Sequence, residues 1–230
     1  MKQKSKSQAS VVLSVPRSKE EAKKFYDRIS KFEHYVSVVF ERKYAEMALE
    51  QLSIQEGGTV LEIGFGSGQS LKCIAQLVGK TGKVYGIDIS SGMLEVTRRR
   101  LEKARLIERV ELHCGDAMGL PYGDNTFDAA FMAFTLELFD TPEIPKVLEE
   151  VRRVIRPEGR LGLVSMSKED GNSAILRLYE WAHKKWPKYV DCRPIYVERS
   201  LINAGYKIQS KQKARLMGLP LEIIVAVNTK

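Results

Sequence analysis

Three glycines stand at alternate positions in TVLEIGFGSGQSLKCIAQLV, residues 59–78: Gly64, Gly66 and Gly68. They follow a short apolar run, and a helical pattern begins at once. Glycine permits positive φ and lets a backbone approach a ligand closely. Amides at the start of the following helix point outward and suit an anionic group. A plain strand-to-helix turn does not call for three glycines, so this one reads as a ligand cradle. A dinucleotide cradle wants a small residue at its third position, where this chain has Gln69. A phosphate loop needs Lys followed by Ser or Thr, and neither follows this turn.

Two acids end later apolar runs: Asp88 closes KVYGID, and Asp116 follows LHCG. A carboxylate at the first position can accept both hydroxyls of a ribose and disfavours a 2′-phosphate. At the second, beside backbone amides, it can take an adenine amino group. Either acid could instead serve a turn or a helix cap. Together with the glycines, they describe one pocket touching an amino-acid end, a ribose and an adenine.

The elements that must position these residues alternate. Helices are expected near 19–32 and 36–52, and EGG at 56–58 is a break. Strands follow near 59–63, 83–88, 109–114, 127–133 and 160–166, with helices near 68–78, 91–105 and 143–155. RPEGR, residues 156–160, reads as a helix stop. Helices near 172–185 and 195–204 precede two strands, 206–216 and 221–228, joined at MGLP. Alternating βα units imply a parallel sheet covered on both faces. The sequence is read as a flexible basic arm, 1–18, and one domain, 19–230.

Composition narrows the function. Of 230 residues, 43% are hydrophobic, enough for a core. No apolar run is long enough to span a membrane, and the short run after Lys6 lacks a cleavage site. Cys73, Cys114 and Cys192 form no CxxC pair; they read as reduced thiols of a cytoplasmic protein, Cys73 and Cys114 as small core residues. The net charge is +8, but residues 1–24 carry +5, residues 205–230 carry +4, and the rest carries −1. Basic ends allow contact with an anionic surface. If 206–216 is a strand, Lys207, Lys211, Lys213 and Arg215 line one face. A nucleic-acid partner is not expected. His34, His113 and His183 are scattered, so no metal site is expected.

Four stretches, VLEIGFGSG, VYGIDISSGML, GDAMGLPYGDNTFDAAF and VLEEVRRVIRPEGRLGLV, together resemble the class I S-adenosylmethionine-dependent methyltransferases, specifically the ubiquinone/menaquinone C-methyltransferase-like group. The resemblance covers about residues 56–166 and implies a Rossmann-like α/β fold. Its mostly parallel seven-stranded sheet runs 3-2-1-4-5-7-6 with strand 7 antiparallel, under an N-terminal helical lid. It implies S-adenosylmethionine as cofactor and S-adenosylhomocysteine as product. Glu62, Gly64, Phe65, Gly66 and Gly68 would cradle the methionine moiety. Asp88 would hold the ribose, Ile89 and Met93 flank the adenine, and Asp116 and Ala117 read it. Met132 and Ala133 would border the sulfonium. Tyr26 and Asp27 resemble a YD pair of the lid helix.

A sulfonium makes its methyl carbon electrophilic, and neutral sulfide leaves without acid help. The protein therefore mainly aligns the acceptor and excludes water. The acceptor region should be FMAFTLELFDTPE after the fourth strand, with Glu137 as a base or an acceptor anchor and Phe134, Leu136 and Phe139 as an apolar wall. Tyr179, Trp181, His183, Trp186 and Tyr189 would form an aromatic acceptor lid. The expected reaction is methyl transfer to a small or lipid-like molecule. RNA or protein methylation through the basic ends is the rival, weakened because no NPPY-type motif follows the fourth strand. A non-catalytic S-adenosylmethionine-binding module is the third reading.

Overall fold

The structure is a computed structural model and describes residues 12–15, 18–30, 36–169, 174–185 and 192–230. Helices α1 (Lys19–Ile29) and α2 (Val36–Leu52) lead into β1 (Thr59–Ile63), α3 (Gln69–Leu77), β2 (Lys83–Asp88), α4 (Ser91–Lys103), β3 (Val110–Cys114) and β4 (Phe127–Ala133). Then come α5 (Ile144–Val154), β5 (Ile155–Met166), α6 (Ala174–Lys185), α7 (Val197–Asn203), β6 (Tyr206–Leu216) and β7 (Leu219–Asn228). The sheet order is β3-β2-β1-β4-β5-β7-β6, with β7 antiparallel to both neighbours. Strand order reverses between β1 and β4, and a sheet of this kind binds ligands beyond that switch point.

Successive strand residues point to opposite faces, so the apolar strands feed two cores. Leu61, Ile63, Met132 and Leu163 pack under α5 and α7. Val60, Val84, Phe131 and Val164 pack under α2 and α3. Helix α5 shows why it forms: Ile144, Val147, Leu148, Val151 and Val154 recur at helical spacing and are all buried.

Several expectations need correction. RPEGR does end a helix, but no separate turn precedes β5. The strand starts at Ile155, paired with Phe127, and bulges before Arg160 pairs with Ala129. The basic residues of β6 do not share one face. Lys207 pairs with Val227 and Lys211 with Ile224, across a bulge between Ile208 and Ser210. Those β7 partners are an odd number of positions apart, so Lys207 faces away from Lys211, Lys213 and Arg215. Lys211 is also partly buried between Glu198 and Glu222.

The arm does not extend to residue 18. Val12 packs on the α5 core, the Leu13 carbonyl accepts from Arg193 at 2.8 Å, and the Val15 amide donates to Asp140 at 3.2 Å. Ser18 caps α1 in a capping box with Glu21. Cys114 is exposed, so it is not a core residue, whereas Cys73 is half-buried and packs against the α2–α3 core. His34, Trp186, Tyr189 and residues 1–11 lie outside the described residues.

Candidate active site

The glycine turn is built by close contacts. Gly64 has φ 71, and a Cβ there would meet the Thr135 side chain at 2.4 Å. Gly68 has φ 76, and a Cβ there would meet Thr97 at 2.5 Å. Both positions therefore exclude side chains on two counts. Between them the Gly66 amide donates to Asp88 Oδ2 at 2.9 Å, and Thr97 Oγ1 donates to the Gly66 carbonyl at 2.9 Å. Asp88 Oδ1 accepts from the Ser90 amide at 2.9 Å. One carboxylate thus ties the turn after β1 to the turn after β2. Burial pushes the Asp88 carboxyl up, against these hydrogen bonds and with Asp27 adding repulsion.

The turn opens on a cavity of about 1000 Å³. Its walls include Glu62 of β1 with Gly64, Phe65 and Gly66 beyond it, and Asp88 at the end of β2 with Ile89 and Met93 beyond it. Asp116 and Ala117 follow from the third crossing, Ala133 from β4, and Tyr26 from α1. Helix α3 begins beside it with no side-chain cap, which leaves its first amides available to an anion.

Glu62 is 2% exposed and its Oε2 has no hydrogen-bond partner. Burial, then repulsion from Asp88, raises its carboxyl well above the ordinary 4.5. An orphaned buried carboxyl on a cavity wall fits a cationic ammonium.

Three expected site residues are not on the wall. Gly68 sits behind it, shaping the turn. Met132 is fully buried in the α5 core, because it alternates with Ala133 along β4. Glu137 is fully buried beneath the loop after β4, where its Oε1 accepts from the Met166 amide at 3.1 Å. It is an anchor of that loop to the end of β5, not an acceptor contact. Leu136 is likewise core, whereas Phe134 and Phe139 line the cavity. Phe134 is held at φ 53, an uncommon backbone for an aromatic residue. The aromatic lid is not assembled as expected: Tyr179 packs against the α2 core, His183 is buried and Trp181 is exposed.

The N-terminal elements supply what sequence reasoning missed. Val15, Ser18, Lys19 and Phe25 line the cavity, and the Lys19 ammonium pairs with Asp116 Oδ2. Asp27 Oδ1 accepts from Ser90 Oγ at 2.6 Å and from the Gly92 amide at 2.9 Å, fastening α1 to the start of α4. Burial opposes ionisation of Asp27, but these hydrogen bonds hold its carboxyl below the usual value. Helix α1 buries no residue fully, so this anchor matters to its seat. Asp27→Ala is expected to speed hydrogen exchange in α1 and to weaken cofactor binding about fivefold, with little change in melting temperature. Unaltered exchange in α1 would show that the helix is held otherwise.

A sheet of this order, with a glycine cradle beside strand-end acids, is the framework of an S-adenosylmethionine-binding enzyme. Residues 60–159 match the family model described as "Methyltransferase domain". The chain is 32% identical over 187 residues to a demethylmenaquinone methyltransferase of Symbiobacterium thermophilum, covering 76% of this chain and 74% of that one. It is 29% identical over 165 residues to a 2-phytyl-1,4-naphthoquinone methyltransferase of Trichormus variabilis, covering 70% and 71%. A crystal structure of an S-adenosylmethionine-dependent methyltransferase from Aquifex aeolicus superposes with a TM-score of 0.65 at 27% identity, covering 88% and 98%. The chain belongs to the class I S-adenosylmethionine-dependent methyltransferases, and it transfers methyl groups to small-molecule acceptors.

Proposed function

We propose that the acceptor is lipid-like, with a flat apolar reacting head of the quinol kind. The supporting observation is the character of the cavity beyond its polar end. Phe25 and Ile29 of α1 line it together with Phe134, Leu138 and Phe139 of the loop after β4, and such walls suit a flat apolar ring. The two relatives are named for demethylmenaquinone and 2-phytyl-1,4-naphthoquinone, which agrees with these walls.

In this reading Glu62 holds the cofactor's ammonium, Asp88 its ribose and Asp116 its adenine, with the Gly64–Gly66 backbone close to the methionine carbons. S-adenosylmethionine supplies an electrophilic methyl group. The apolar residues exclude water and align the acceptor carbon with that methyl. Asp27 and Ser90 keep α1 over the cavity.

Mass spectrometry after incubation with S-adenosylmethionine tests the acceptor. A prenylated naphthoquinol, a short-chain naphthoquinol and a polar amine are offered separately. A gain of one methyl on the prenylated quinol supports the reading, and turnover of the amine alone overturns it.

The assignment of Glu62 has its own test. A carboxyl with a raised pKa keeps its proton, and a neighbouring ammonium favours the ionised form. Cofactor binding is therefore expected to release protons wherever this carboxyl is still protonated in the free protein, and affinity should fall as the solution is acidified. Calorimetry in buffers of different ionisation heat reads the proton directly. Equal heats in all buffers would remove Glu62 from the ammonium site.

A further inference from the structure

Helix α6 carries apolar residues on two sides. Leu176 and His183 are each 2% exposed and, with the half-buried Tyr179, turn inward. Ile175, Leu178 and Trp181 are 48%, 64% and 53% exposed. A helix packed through one stripe ordinarily carries polar residues on its outer side. Arg177, Lys184 and Lys185 flank the outer stripe and are exposed. Glu180, the helix's one acid, is paired with the Lys168 ammonium at 2.8 Å.

The turn between β6 and β7 continues this patch. Met217 is 80% exposed, and a Cβ on Gly218 would meet Ile175 Cδ1 at 2.8 Å. Arg215 is exposed beside it. The turn precedes Leu221, which pairs with Met166 at the carboxyl end of β5. The patch therefore lies at the end of the sheet that carries the cavity.

We propose that α6 and the β6–β7 turn form a docking surface for an anionic phospholipid bilayer. Leu and Trp among Lys and Arg suit a helix lying in the interface: the apolar side chains enter the acyl boundary, and the cations meet the headgroup charge. Charge argues against a second copy of the chain, because the patch is cationic once Glu180 is paired and would oppose its own image across a two-fold axis. The surface lies at the same end of the sheet as the cavity, and its existence does not depend on which acceptor is used.

Cosedimentation of the full chain with vesicles tests it without any turnover. Phosphatidylcholine vesicles containing phosphatidylglycerol are expected to bind about tenfold or more tightly than pure phosphatidylcholine vesicles, and salt should weaken the binding. Leu178→Glu with Met217→Glu should lower binding to the anionic vesicles by about tenfold or more. Lys184→Glu with Lys185→Glu should abolish the preference for anionic lipid. All four side chains are exposed, and unchanged cofactor affinity verifies that each variant is folded. The proposal is overturned if wild type ignores both kinds of vesicle, or if the variants bind as wild type does. It is equally overturned if light scattering reveals a dimer that Leu178→Glu disperses while vesicles go unbound.

Discussion

Asp88→Ala is expected to weaken S-adenosylmethionine binding by about 1–3 kcal/mol, roughly fivefold to 150-fold. Two losses combine. A charged acceptor for ribose hydroxyls disappears, and so does the group that receives the Gly66 amide on one oxygen and the Ser90 amide on the other. The glycine turn then loses its tie to the end of β2. Asp88→Asn separates the two effects, because its single carbonyl can still accept one amide but carries no charge. The Asn variant should fall between wild type and Ala in affinity while melting close to wild type. Titration calorimetry reads the affinities, and circular dichroism checks that both variants fold. An unchanged affinity in a folded Ala variant would take Asp88 out of the site.

Glu137→Gln should stabilise the protein in mildly alkaline solution by about 3 kcal/mol and change little near pH 4.5. Burial raises the Glu137 carboxyl from its ordinary 4.5 to about 7, despite hydrogen bonds that favour its ionised form. The folded state therefore binds this proton more tightly than the unfolded chain does. Stability is then greatest below about pH 4.5 for this group and falls as pH rises to about 7, where the buried carboxylate becomes charged. Glutamine keeps the shape, can still accept from the Met166 amide, and never takes on the charge. Thermal melts of both proteins across that range would show the curves diverging with pH. Parallel curves would mean that Glu137 ionises as freely folded as unfolded. Turnover of the glutamine variant should match wild type, since the carboxyl does not reach the cavity.

The cavity walls at the ends of β1, β2 and β3 were legible because they are local. Each turn places its ligand-facing residues within a few positions of a strand end, so Gly64, Asp88 and Asp116 could be picked out from strand boundaries alone. The sheet order followed from the family resemblance and matches the structure. The part of the cavity wall that comes from the amino-terminal segment was not legible, because it is distant in sequence from the strand ends it meets. Nothing near residue 19 announces a contact with Asp116, 97 positions away. Glu137 was misplaced because a chain leaving a strand can turn a side chain toward the ligand or under the loop. The short one-turn helix at Leu136–Leu138 sends it under. The basic stripe of β6 failed for a related reason: one extra residue in a bulge reverses strand parity without any mark in composition.

The Arg193 guanidinium is fully buried and donates to the carbonyls of Leu13 and Phe139 and to Thr141 Oγ1. Its bond to Leu13 spans 180 positions, which gives the contact a consequence for the order of assembly. During synthesis the amino-terminal segment leaves the ribosome first, yet its docking partner follows most of the chain. β1 to β4 and the turns after them can form while translation continues, whereas the docking of the segment around Leu13 must wait for residue 193. Loops of that span close late. A chain stopped after α6 would lack Arg193 and with it this closure, so the docking of the amino-terminal segment is one of the last events of folding.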